Sequence, residues 1–159
     1  MIYSKTCEYA IRSLIFFADH PEKDCVTVKA VSHGTRVPQS YVAKIFQCLA
    51  QCGILQSQRG PSGGYSLLVH PSKLTLLKIV QALDDLSKSS FTHCVMGFDK
   101  CDDKNPCPLH PVWKEAKEKI LEELASSTIL DMAKLGRHFR DGKHRRLVLS
   151  SGMRGIFTT

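Results

Sequence analysis

Arg59-Gly60-Pro61-Ser62-Gly63-Gly64-Tyr65 is the stretch whose reading decides the fold. Ile54-Leu55-Gln56-Ser57-Gln58 before it and Tyr65-Ser66-Leu67-Leu68-Val69 at its end read as strands, so it forms the turn of a β-hairpin. Its glycines let the backbone approach another surface closely, and Arg59 puts one cation at the base of the turn. That combination suits contact with a phosphate or with the minor groove of DNA. Read alone, the glycine run could also be the phosphate loop of a nucleotide enzyme. No Lys-Ser/Thr follows it, and the next residues are strand-like rather than helical, which argues against such a loop.

Upstream, Tyr41, Val42, Ile45, Phe46 and Leu49 recur at helical spacing, with Ser40 as a candidate cap and Gly53 as the stop. Gln39, Ser40, Tyr41 and Lys44 offer hydrogen-bonding groups near the N-terminal end of this helix, the end that meets base edges in the major groove. A shorter helix is predicted over 27–33, capped by Thr27 and ended by Gly34. Before it, Ser4 to Asp19 carries an apolar stripe through Ala10, Leu14, Phe17 and Ala18, widened by Ile11 and Ile15. Two helices, a short turn, a third helix and a glycine-rich hairpin describe a winged helix-turn-helix. The DNA-contact candidates are then Gln39, Ser40, Tyr41 and Lys44 on the helix, with Arg59, Gly60, Ser62 and Gly63 on the wing.

Downstream, Leu76, Leu77, Ile79, Val80 and Leu83 predict a helix over about 76–86 after Thr75. A long helix follows over about 111–126, with Trp113, Ala116, Ile120 and Leu124 at three- and four-residue steps. Thr128 with Asp131 three residues on resembles a capping box for a last short turn. The fold class is therefore mostly α with a small β-hairpin. The division is a head over 1–86, a cysteine-rich loop over 87–110, a long-helix region over 111–136 and a basic tail over 137–159.

The formal net charge of +7 is unevenly spread. Residues 137–159 hold six Lys/Arg and one acid, or +5, which leaves +2 for the rest of the chain. The high pI is thus largely a tail property and weak evidence for a polyanionic partner. No stretch approaches the roughly 20 apolar residues of a membrane span. The opening residues, Met1 to Thr6, carry no apolar run leading to a cleavage site, so a cytoplasmic location is expected. No nucleophile–base or carboxylate pair stands at a catalytic spacing, so an enzyme is not expected.

Seven cysteines divide into two groups. Cys7, Cys25, Cys48 and Cys52 fall in helix-like segments, where most are expected to act as small buried hydrophobes. Cys94, Cys101 and Cys107 share a polar, turn-rich segment with His110 close behind. Six residues separate the first two, five the next two, and two lie between Cys107 and His110. Three thiols on one short loop of a cytosolic chain fit soft-metal ligation, by zinc or by an iron–sulfur cluster. A Cys-Cys-Cys-His set would also close a tetrahedral zinc site, and a metal-free thiol switch is the third option.

The wing motif, the upstream Pro38-Gln39-Ser40-Tyr41-Val42-Ala43-Lys44-Ile45 and the three-cysteine loop together resemble the IscR/NsrR family of bacterial winged-helix regulators. That family responds to iron–sulfur supply, nitric oxide or redox stress, and the resemblance covers about residues 1–135. It implies a homodimer in which the long helix packs against its partner, binding a pseudo-palindromic operator, and a repressor role. It also implies an iron–sulfur cluster of two-iron or four-iron type held by Cys94, Cys101 and Cys107. For the fourth ligand, His110 matches the histidine of the cluster-assembly regulators. Glu8 matches the carboxylate that nitric-oxide and redox sensors supply from the other subunit. Both are present; His110 is set slightly ahead because its tether to Cys107 fixes its reach. His33 is expected at the surface. The chain departs from the family pattern in its basic tail.

Overall fold

A computed structural model of the chain describes residues 3–60, 63–84, 94–98 and 101–140, without the side chains of 137–140. Helix α1 (Lys5–Asp19) begins at Ser4, whose hydroxyl accepts from the Cys7 N–H. Its buried face, Ala10, Leu14 and Phe17 among others, sits at the centre of the head and packs against α2 (Val28–Thr35), α3 (Gln39–Gln51) and α4 (Leu76–Leu83). Phe46, Leu49, Ile45, Ile54 and Ile79 complete a core that excludes water almost entirely.

Strands β1 (Leu55–Gln58) and β2 (Gly64–Leu67) form the expected antiparallel hairpin, with Leu55 opposite Leu67 and Gln58 opposite Gly64. Its base is stitched to the segment before α2, where Val26 and Tyr65 exchange both backbone hydrogen bonds, at 2.8 and 2.9 Å. Tyr65 also sets its ring edge against Phe46, so the wing leans on the core of the head. Two glycines of the turn are required. Gly60 has φ +118, and a Cβ on Gly63 would meet the backbone carbonyls of Gln58 and Gly60. Pro61 and Ser62 lie outside the described residues.

Three helix boundaries differ from the sequence reading. Gly34 does not end α2; it lies inside the helix, flush against the Phe16 ring, and the turn falls at Arg36 with φ 59. Ser40 is not the cap of α3, because the Pro38 carbonyl already accepts from the N–H groups of Tyr41 and Val42. Helix α4 stops at Leu83, where Asp84 turns extended and its carboxylate accepts from the Ser4 N–H at 2.8 Å.

Helix α5 (His110–Ser126) is long but thinly covered: of its residues only His110 and Leu124 are buried, and Val112 is 69% exposed. The Thr128–Asp131 capping box is present in both directions, with the Thr128 N–H donating to Asp131 and the Asp131 N–H to Thr128. It starts a twelve-residue helix, α6 (Ile129–Arg140), where the sequence suggested a last short turn. Ile129 and Ala133 are fully buried, and α6 returns onto α1, tied by the Ile129 N–H to Leu74 and the Leu76 N–H to Ser127. The basic stretch after Arg140 lies outside the described residues. No described helix is long and apolar enough to cross a membrane.

Candidate metal centre and nucleic-acid interface

The DNA-contact candidates occupy two exposed edges of one head. Gln39, Ser40, Tyr41 and Lys44 are all exposed on the first turns of α3, while Val42, Ile45, Phe46 and Leu49 hold its other side in the core. Tyr41 packs edge-on against Tyr9 of α1 at 5.8 Å, which fixes its ring at the surface. On the wing, Arg59 and Gly60 are exposed and Gly63 is half-buried, with its N–H donating to the Gly60 carbonyl. Ser62 falls outside the described residues. His33 is exposed on α2.

The expectation that most cysteines of the first group are small buried hydrophobes is not met. Of the first group only Cys7 is buried; Cys25 is half-buried, and Cys48 and Cys52 are exposed. Helical spacing shows that two residues share a face but not whether another element covers it. Burial, and an Asp84 carboxylate accepting from its S–H, push the Cys7 thiol up to about 12.

Cys94, Cys101, Cys107 and His110 come together as two pairs. The Cys94 and Cys107 sulfurs stand 3.6 Å apart, and Cys101 Sγ lies 3.3 Å from His110 Nδ1. A backbone N–H at Met96, the Cys107 thiol and Phe98 hold the Cys94 thiol below its usual range, against a desolvation that raises it. His110 opens α5, its N–H donating to the Cys107 carbonyl at 2.9 Å, so the helix start delivers the ring to the loop. Among the described residues no three Cys, His, Asp or Glu side chains close on a single metal-sized point.

Two residues of this centre carried no signal in the sequence reading. Asp103 accepts from His110 Nε2 at 3.0 Å and from Lys114 Nζ at 3.0 Å through both carboxylate oxygens. Lys114 and His110 hold the Asp103 carboxyl below its ordinary value. The available clue was positional: Asp103 two residues after Cys101, and Lys114 one helical turn after His110. Glu8, the other candidate ligand, is engaged elsewhere, its carboxylate paired with Lys5 and Arg12 on its own helix.

An exposed recognition helix, a glycine wing and a compact helical head define the class: a winged helix-turn-helix transcriptional regulator that binds DNA. The chain belongs to the Rrf2 family of iron-dependent transcriptional regulators, which it matches over residues 3–135. A protein of Aquifex aeolicus named as an HTH-type transcriptional regulator is 31% identical over 134 residues, covering 83% of this chain and 91% of its own. The HTH-type transcriptional regulator IscR of Aliivibrio salmonicida is 26% identical, covering 85% of this chain and 75% of its own. Among solved structures, CymR, the global cysteine regulator of B. subtilis, superposes with a TM-score of 0.70 at 19% identity. That superposition covers 85% of this chain and 98% of CymR.

Proposed function

We propose that the protein is a homodimeric transcriptional repressor, acting in the cytoplasm, that senses iron–sulfur status, nitric oxide or redox stress through an iron–sulfur cluster held by Cys94, Cys101, Cys107 and His110. The observation that carries this reading is the pairing of the four donors. Two thiolates on one tetrahedral metal with bonds of about 2.3 Å stand roughly 3.7 Å apart, and a thiolate and an imidazole about 3.5 Å. The Cys94–Cys107 and Cys101–His110 separations, 3.6 and 3.3 Å, are each close to the spacing of two ligands on one metal. Two such pairs suit a two-iron centre better than one zinc ion, which takes all four donors at a single point. The family's description as iron-dependent supports the same reading.

His110 is the fourth ligand in this proposal, because Glu8 is already held by two cations and His110 already faces Cys101. When bound, the cluster supplies a redox- and nitric-oxide-reactive centre whose gain or loss changes the charge and order of the loop. The chain's own residues do the rest. The loop precedes α5, whose Trp113, Ala116 and Ile120 are only half-covered within one chain, and a second α5 is the natural cover for that face. The loop thereby links donor geometry to the spacing of two DNA-binding heads.

Anaerobic purification with absorption spectroscopy and iron and sulfide quantification tests the cluster. Equal iron and sulfide, about two of each per chain, and a visible chromophore are expected. Protein with one zinc per chain, or with neither iron nor sulfide, would overturn it. Operator affinity that is identical with and without cluster would overturn the sensing role.

A second reading, a metal-free thiol switch, has one observation in its favour. Cys94 and Cys107 are near enough to join as a disulfide with only a small movement. Under peroxide, cluster-free protein that loses those two thiols together and alters its operator affinity would favour this reading.

A further inference from the structure

His110 is the one donor of the centre with two chemically distinct ends, and which end carries the ring proton decides which nitrogen can bind a metal. Its side chain is buried, and both nitrogens are engaged. Nε2 faces the Asp103 carboxylate, which pairs with Lys114 and serves as a hydrogen-bond acceptor, so this contact places a ring proton on Nε2. With that proton on Nε2, Nδ1 is the end left to ligate, and it lies 3.3 Å from Cys101 Sγ.

Asp103 is held in place by the turn it lies in and by Lys114. Asp102 Oδ1 accepts from the N–H groups of Lys104 and Asn105, closing a tight turn that sends the loop back towards α5. Lys114, one helical turn beyond His110, then grips both Asp103 oxygens. The chain Cys101–His110–Asp103–Lys114 borders a cavity of about 240 Å3 between loop and helix.

We propose that Asp103, braced by Lys114, is a positioning residue that holds the His110 proton on Nε2 and so presents Nδ1 as the ligating atom. The inference rests on the cluster-site reading above and adds which nitrogen binds and what selects it. Partners of this kind orient ligating imidazoles and tune their basicity, and their removal costs roughly 10–100-fold in metal affinity.

The first measurement uses cluster-free full-length protein with 15N-labelled histidine, where long-range 1H–15N correlations report the tautomer of His110. Wild type is expected to carry the proton on Nε2. Asp103→Ala is expected to lose that preference, and Asp103→Asn to keep it, since the amide oxygen still accepts. The second follows the loss of visible absorption from anaerobically loaded protein under excess chelator. Release is expected to be roughly 10–100-fold faster in Asp103→Ala, with Asp103→Asn restored most of the way to wild type and Lys114→Met intermediate. A proton on Nδ1 in wild type would overturn the proposal, as would an Asp103→Ala variant with unchanged tautomer and release rate. Wild type that takes up no iron would instead overturn the site reading beneath it, so the two failures are distinguishable.

Discussion

The head and the cysteine loop are held together by different forces. In the head, Leu14, Phe46, Leu49 and Ile79 are fully buried, and four helices share one core. In the loop, Val95, Met96 and Phe98 face outward, Phe98 being 63% exposed. Thiol pairs and the His110–Asp103–Lys114 chain hold its described residues together. Apolar burial needs no ligand, whereas thiols 3.6 Å apart offer little stabilisation until something binds them both. The comparison teaches that the head is a preformed scaffold and the loop is the part whose free energy a ligand can change.

The largest effect should fall on the loop alone. Serine at Cys94 or Cys107 is expected to abolish iron and sulfide uptake while leaving the unfolding midpoint of the cluster-free protein within a degree or two of wild type. A large fall in that midpoint would show that the loop supports the head, and would break the contrast. Conversely, Phe46→Ala removes a fully buried ring that touches Phe17 and Tyr65. It should cost about 3–5 kcal/mol in urea unfolding and weaken operator binding through loss of the folded head.

Smaller effects sharpen the comparison within the head. Gly63→Ala forces a Cβ onto two backbone carbonyls of the wing, and a loss of roughly 1–3 kcal/mol is expected. Operator affinity should fall further than that of Arg59→Ala, because the whole turn shifts; equal stability and affinity in Gly63→Ala would refute the tight-turn argument. The smallest effect is a pH dependence at Cys7. Its folded value, about 12, lies above the ordinary 9.0, so its contribution is fully present below pH 9 and fades as pH rises from there towards 12. The difference in unfolding midpoint between wild type and Cys7→Ala should therefore shift against wild type between pH 8 and 11. A pH-independent difference would mean that folding does not raise the Cys7 thiol above its ordinary value.

Legibility followed the range of the interactions. The hairpin was readable because a glycine turn between two strand-like runs is a local signal, and the Thr27 and Thr75 caps were readable for the same reason. The end of α2 was misread at Gly34 because that glycine serves a tertiary contact, the approach of the Phe16 ring, rather than a turn. Helix α6 was underestimated because Ile129, Met132 and Ala133 form too short a stripe to stand out. Only packing on α1 gives that stripe a reason to be helical. The expected burial of most of the first cysteine group fails at Cys48 and Cys52, because periodicity reports a shared face and not its cover.

By itself, then, the sequence determined the winged helix-turn-helix head and drew attention to Cys94, Cys101, Cys107, His110 and Glu8, since turn chemistry, periodicity and cysteine spacing are written in neighbouring residues. Tertiary structure alone decided how those donors are grouped. It joined Cys94 to Cys107 across thirteen residues, turned His110 towards Cys101 at the start of α5, and left Glu8 bound to Lys5 and Arg12. It also brought Asp103 and Lys114 to the far side of the His110 ring. Pairing of side chains depends on where a loop meets a helix, and no local spacing encodes that meeting.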